Sequence, residues 1–95
     1  MTKRLGFVGI MIEHREQSAG EVNRIISQFG DSVVARQGVP YKDRMCSVIS
    51  LIVDMDTDEL GSLTGRLGAV PGVSTKSALM KDHSQQTAEA RGGLE

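Results

Sequence analysis

The side chains able to do chemistry in this 95-residue chain are few: one cysteine, two histidines and a scatter of carboxylates. Cys46 and His14 are the residue types of a nucleophile and its base. Nothing in the spacing brings them together, and no third group is placed to orient the base. Cys46 therefore reads as a small strand residue. A lone cysteine also excludes an intramolecular disulfide, a paired-cysteine redox motif and a multi-cysteine zinc site within the chain. His14, His83 and Cys46 show no metal-ligand spacing. Asp54, Asp56, Asp58 and Glu59 form an acidic cluster of the kind that attracts a divalent cation, but negative charge at the start of a helix is favourable by about 0.3–1 kcal/mol without any metal. Gly61, Gly65 and Gly68 lack the strand-to-helix setting of a dinucleotide loop. No catalytic residue, metal site or cofactor is expected, and the chain is read as non-enzymatic.

One charged group gathers more promise. Glu13, His14, Arg15 and Glu16 follow an apolar run, and Tyr41, Lys42, Asp43 and Arg44 fall in a later connection. With the first helix beginning beside this group and Ser18 as its cap, its unpaired N–H groups and positive dipole end favour an anion. Arg15 would offer a bidentate partner for a carboxylate, Glu13 would meet an ammonium group, and His14 would make binding sensitive to pH near neutrality. Glu13, His14, Arg15, Ser18 and Tyr41 are the candidate ligand-binding residues, for a small anionic or zwitterionic molecule. A solvated charged rim is the plainer alternative.

The elements that must position these residues are legible in the apolar spacing. Arg4 to Glu13 is rich in β-formers and reads as a first strand. Ser18 followed by Glu21 has the form of a capping box, and Val22, Ile25, Ile26 and Phe29 fall at i, i+3, i+4, i+7 before Gly30, predicting a helix over 16–29. Ser32 to Val39 reads as a second strand. Gly38, Pro40 and Asp43 mark a connection, and Met45 to Val53 a third strand. Asp56 with Glu59 is a second capping pair, and Leu60, Leu63, Thr64 and Leu67 predict a helix over 57–68. Val70, Pro71 and Gly72 force a turn into a fourth strand over 73–80. Residues 1–80 form one domain, and residues 81–95, nearly free of apolar side chains, are expected to be a mobile tail.

Composition narrows the function classes. With 39% hydrophobic and 24% charged residues the chain is globular in type, and no apolar run approaches the roughly 20 residues of a membrane span. No secretory signal is apparent, so a cytoplasmic location is expected. Nine basic and nine acidic side chains in residues 1–80 argue against direct nucleic acid binding by this chain alone.

The order β-α-β-β-α-β, with right-handed crossovers, predicts an α+β, ferredoxin-like two-layer sandwich with sheet order 4-1-3-2. Strand one is apolar on both parities, with Leu5, Phe7 and Met11 opposite Val8, Ile10 and Ile12; strand three repeats this with Ile49, Leu51 and Val53 opposite Val48 and Ile52. Strands two and four are more polar. Apolar residues on both faces place strands one and three centrally with something packed on each side, and two helices cover only one side. A homo-oligomer, dimer or tetramer, is expected.

Leu67 to Val73 resembles the helix end and Gly-Val strand entry of ACT-type regulatory domains. More closely, Gly9 to Glu13, Gly38 to Tyr41, Ser47 to Asp54 and Leu63 to Gly68 resemble the family named for regulation of the iron-only hydrogenase system, whose fold is similar to the C-terminal domain of the nickel-responsive regulator. The likeness covers about residues 4 to 80. It implies a regulatory module that senses a ligand or oligomerises, and ACT-type domains bind amino acids near the corresponding first loop. A purely structural oligomerisation or adaptor module is the alternative. The nickel-binding relatives draw several histidines and a cysteine from two subunits; with only His14, His83 and Cys46 here, that metal site is not carried over.

Overall fold

A computed structural model describes residues 2–81; all of the expected tail beyond Lys81, His83 included, lies outside the described residues. The elements are β1 (Arg4–Ile12), α1 (Arg15–Gln28), β2 (Val33–Tyr41), β3 (Cys46–Met55), α2 (Thr57–Gly68) and β4 (Val73–Leu79), with short 3-10 turns at Gly30–Ser32 and Lys42–Arg44. The four strands form one antiparallel sheet in the order β2-β3-β1-β4, the expected 4-1-3-2 order read from the other edge. The chain is an α+β, ferredoxin-like two-layer sandwich.

Register fixes the two faces. Ile12 pairs with Ser47 and Val73, Ile10 with Ile49 and Thr75, and Val8 with Leu51 and Ser77. Val8, Ile10, Ile12, Ile49, Leu51, Val53 and Met55 are buried beneath Val22, Ile25 and Ile26 of α1 and Leu63 and Leu67 of α2. Each fully buried aliphatic side chain contributes about 1.5–3 kcal/mol relative to an exposed one, so this single core carries the fold. On the other face Leu5, Phe7, Met11, Val39, Tyr41, Val48 and Ile52 stay exposed, and neither helix covers them.

Local chemistry explains the element ends. Asp56 caps α2, its Oδ1 accepting from the Glu59 N–H at 2.8 Å. The Glu59 carboxylate in turn accepts from the Ser32 hydroxyl at 2.6 Å, tying α2 to the turn before β2. Pro71 and Gly72, with φ 76° at the glycine, occupy the centre of a tight turn closed by Val73 N–H donating to the Val70 carbonyl at 3.2 Å, the residue pattern of a type II turn.

Two sequence expectations need correction. Ser18 does not cap α1: the helix begins at Arg15, His14 is the cap residue and contributes no side-chain bond, and Glu21 pairs with Arg24 on the surface. Ser18 lies a full turn inside the helix, buried, and donates to the Pro71 carbonyl at 2.7 Å. A buried hydroxyl on a helix's inner face mimics a cap in one dimension, because both need a small oxygen donor-acceptor near the start. The second correction concerns β2, which continues through Gly38 and Pro40 to Tyr41 where a connection was expected. Pro40 is tolerated because β2 is an edge strand with one unpaired side. The remaining ends agree with the prediction to within two residues, and both ends of α2 coincide with it.

Candidate functional site

The end of β1, the β2–β3 connection and the α2–β4 turn meet at one end of the sheet. The Glu13 N–H donates to the Gly72 carbonyl at 2.8 Å, which extends the β1–β4 pairing past Ile12 and fixes where the chain turns into α1. The N–H groups of Gln17 and Ser18 both donate to the His14 carbonyl at 3.0 Å, so the amides of Arg15 and Glu16 are the ones left without an acceptor inside the helix.

These residues open onto a cleft of about 500 Å³ lined by Glu13, His14, Arg15, Glu16, Gln17, Lys42 and Met45. Around its far wall a second hollow continues over Met11, His14, Arg44, Met45 and Cys46. Acidic Glu13 and Glu16 thus share one opening with basic Arg15 and Lys42. None of the four forms an ion pair with another described residue; among those residues the ion pair found is Glu21 with Arg24. An arrangement of unpaired charges of both signs beside free helix amides suits a small molecule carrying a carboxylate and an ammonium group.

Of the five residues read from the sequence, the structure brings Glu13, His14 and Arg15 together at this cleft. Ser18 is committed to Pro71, and Tyr41, whose strand partner is Cys46, lies on the opposite, open face of the sheet. Tyr41 and Ser18 are therefore separated by the thickness of the sheet. Met45 was missed by sequence reading: it sits at φ 54°, 84% exposed, a left-handed position usually filled by glycine or asparagine, so its residue type gives no hint of the turn it makes. Among the described residues no group of three His, Cys, Asp or Glu side chains is placed to hold a metal ion, and no helix is long and apolar enough to cross a membrane.

Residues 4–77 match the TM1266-like family, described as "Iron-only hydrogenase system regulator, putative". The chain belongs to this family. Among solved structures, the uncharacterized protein TM1266 of Thermotoga maritima is 32% identical, with a TM-score of 0.80 over 83% of this chain and 99% of that one. The ACT domain of GTP pyrophosphokinase from Chlorobium tepidum is 23% identical, with a TM-score of 0.69 over 81% of this chain and all of that domain (100%). The C-terminal domain of the MgtC protein of Mycobacterium tuberculosis is 15% identical at a TM-score of 0.65, over 83% of this chain and 89% of that one. The last two likenesses establish the ACT-like fold and nothing of what those proteins bind. A comparison with curated proteins gives no match.

Proposed function

We propose that this family member is a catalytically silent regulatory module that senses a small anionic or zwitterionic molecule at the β1–α1 cleft and works as a homo-oligomer. The observation that carries the reading is the cleft itself: Glu13 and Arg15 flank the start of α1, Lys42 lines the same opening, and their charges have no ion-pair partner among the described residues. The regulator family supplies the setting, in which a ligand biases the packing of subunits or of a partner without being chemically changed. In this reading the chain acts in the cytoplasm and reads no DNA on its own, its nine basic and nine acidic side chains over residues 1–80 leaving no basic excess to neutralise phosphates.

Calorimetry against a panel of amino acids and small carboxylates tests it. Replacing both Arg15 and His14 by Ala abolishes the binding of whichever panel member the parent takes up. If the parent binds none, or the double variant binds as well as the parent, the cleft is not a ligand site. The second reading, a purely structural oligomerisation module, is favoured by the open sheet face with its exposed Leu5, Phe7, Met11 and Ile52.

A further inference from the structure

A separate hollow of about 200 Å³ lies between α1 and the edge strand β2, and its walls follow from helix and strand periodicity. On α1, Arg15, Ala19 and Asn23 recur every four residues and share one face. On β2, Arg36, Gly38 and Pro40 alternate onto the helix-facing side, because Pro40 pairs with the inward Ser47 and Gly38 with the inward Ile49. Ile12 and Ile49 form the floor. Ala19 and Gly38, both small, line the hollow from the two elements, and a Cβ added at Gly38 would meet no atom within 4 Å. The gap is real space left open.

Two further observations show what the space is fitted for. Ser47, only 7% exposed, lines the hollow, and its Oγ is the buried side-chain oxygen with no hydrogen-bond partner among the described residues. A buried hydroxyl left unsatisfied in a folded protein calls for an explanation, and a ligand that completes its bonding is one. Across the hollow the Arg36 guanidinium donates to Asn23 Oδ1 at 2.7 Å, which uses the amide's acceptor and leaves its NH₂ group over. Arg15 completes the rim. What remains around the hollow is therefore a set of donors: two guanidinium groups, an amide NH₂ and a hydroxyl. Among the described residues no carboxylate lines it.

We propose that this hollow binds a small organic carboxylate with a short apolar body. The carboxylate meets Arg36, Arg15 and the Ser47 hydroxyl, in the geometry that guanidinium groups hold best, and the apolar body lies on Ile12, Pro40 and Ile49. A hollow of about 200 Å³ suits a small acid of a few carbons. An amino acid is disfavoured because its ammonium group finds no acidic partner, and inorganic phosphate because it leaves the apolar floor uncovered. This site is distinct from the β1–α1 cleft, with which it shares Arg15 alone.

The test uses isovalerate as probe, followed by calorimetry and by amide chemical shifts, with isovaleramide, leucine and inorganic phosphate as comparisons. The expected result is saturable isovalerate binding that perturbs the amides of Ala19, Gly38 and Ser47, with no binding of the amide. Arg36→Gln and Ser47→Ala each weaken it by about tenfold or more. Gly38→Leu fills the space and abolishes it, while His14→Ala leaves it unchanged. Arg36 is exposed, so Arg36→Gln keeps the test alive if Gly38→Leu does not fold. The proposal is overturned if isovalerate does not bind at concentrations on the order of 10 mM. It is equally overturned if phosphate or leucine binds in its place, or if Arg36→Gln and Ser47→Ala bind like the parent. Loss of isovalerate binding in His14→Ala would assign the ligand to the β1–α1 cleft and remove it from this hollow. Arg15 borders both sites and its replacement does not tell them apart; the single variants do, because His14 lies outside the hollow and Arg36 outside the cleft.

Discussion

Gly72 and His14 are in contact across the α2–β4 turn: a Cβ on Gly72 would stand 3.0 Å from His14 Cδ2 and 3.7 Å from the His14 backbone nitrogen. The glycine also holds φ 76° and accepts from the Glu13 N–H at 2.8 Å. One residue thereby sets the turn, ends the β1–β4 pairing and seats the histidine that borders the cleft. Gly72→Ala meets two penalties, a left-handed conformation worth about 1–2 kcal/mol and crowding of the imidazole. For a domain of this size that corresponds to a fall in Tm of about 5–15 °C. Scanning calorimetry measures it, and the His14 ring resonances shift in the same variant. An unchanged Tm with unmoved His14 signals would show that the turn does not position the histidine.

Ser18 provides a second check on the same junction. Its hydroxyl donates to the Pro71 carbonyl at 2.7 Å, linking α1 to the turn before β4. Ser18→Ala removes one partly buried hydrogen bond and costs about 1 kcal/mol. Helix content by circular dichroism stays the same, since the first turn of α1 does not depend on it. A loss of helicity with little change in stability would restore Ser18 as a cap.

Legibility from sequence divided along a clear line. Strand order was readable because Val8, Ile10 and Ile12 on one parity of β1, and Leu5, Phe7 and Met11 on the other, demand cover on both faces; periodicity reports burial directly. The α2 cap was readable because Asp56 and Glu59 have adjacent local partners. Ser18 was misread because its true partner, Pro71, is 53 residues away, and no local pattern encodes a bond closed by the tertiary fold. The Ser47 hydroxyl and the Ala19–Gly38 gap were invisible for the same reason: each depends on the approach of α1 to β2. Tyr41 reads from the sequence as part of the connection after a strand ending at Val39; the strand runs on to Tyr41, and only its alternation, which pairs Tyr41 with Cys46, reveals the face it occupies.

The acidic cluster before α2 is read as capping, and substitution separates that from cation binding. Asp56→Ala removes the bond to the Glu59 N–H and lowers stability by about 1 kcal/mol. Asp58→Asn, in the first turn, costs only the smaller helix-end charge effect of about 0.3–1 kcal/mol. Millimolar calcium or magnesium leaves the Tm of the parent unchanged; a rise would mean that the cluster holds a cation.

The surface pair of α1 gives a pH dependence with a definite sign. Hydrogen bonding to the Arg24 guanidinium holds the Glu21 carboxyl below the usual carboxylate range against an opposing cost of desolvation, with the charges of Arg24 and Arg66 adding to the lowering. A carboxyl whose value is depressed on folding stabilises the fold at pH above its ordinary value, and that contribution disappears as pH falls through the depressed one. Both side chains are exposed, so the effect is small and screened by salt. Glu21→Gln therefore lowers Tm slightly and evenly between about pH 5 and 8, and the difference from the parent closes on acidification. A difference that widens below pH 4 would reverse the sign and rule out the pair as its source.

The open face of the sheet supports the last prediction. Phe7 pairs with Ile52 on one side and Ala78 on the other, Met11 pairs with Val48, and Val48 with Val39, so two apolar bands run across all or most of the strands. Between them lies a more polar row, Gln37, Ser50, Gly9 and Lys76. Phe7 is 52% exposed and Ile52 39% exposed in the isolated chain, a patch of the kind that marks an interaction surface. Covering several such side chains at about 1.5–3 kcal/mol each is enough to overcome the entropy of association. Sedimentation velocity at micromolar concentration is expected to show a dimer or larger species. Phe7→Lys, which sets two like charges into a two-fold contact, is expected to give a folded monomer with the parent's circular dichroism. A parent that sediments as a well-folded monomer, or a Phe7→Lys variant that stays associated, would remove this face as the interface.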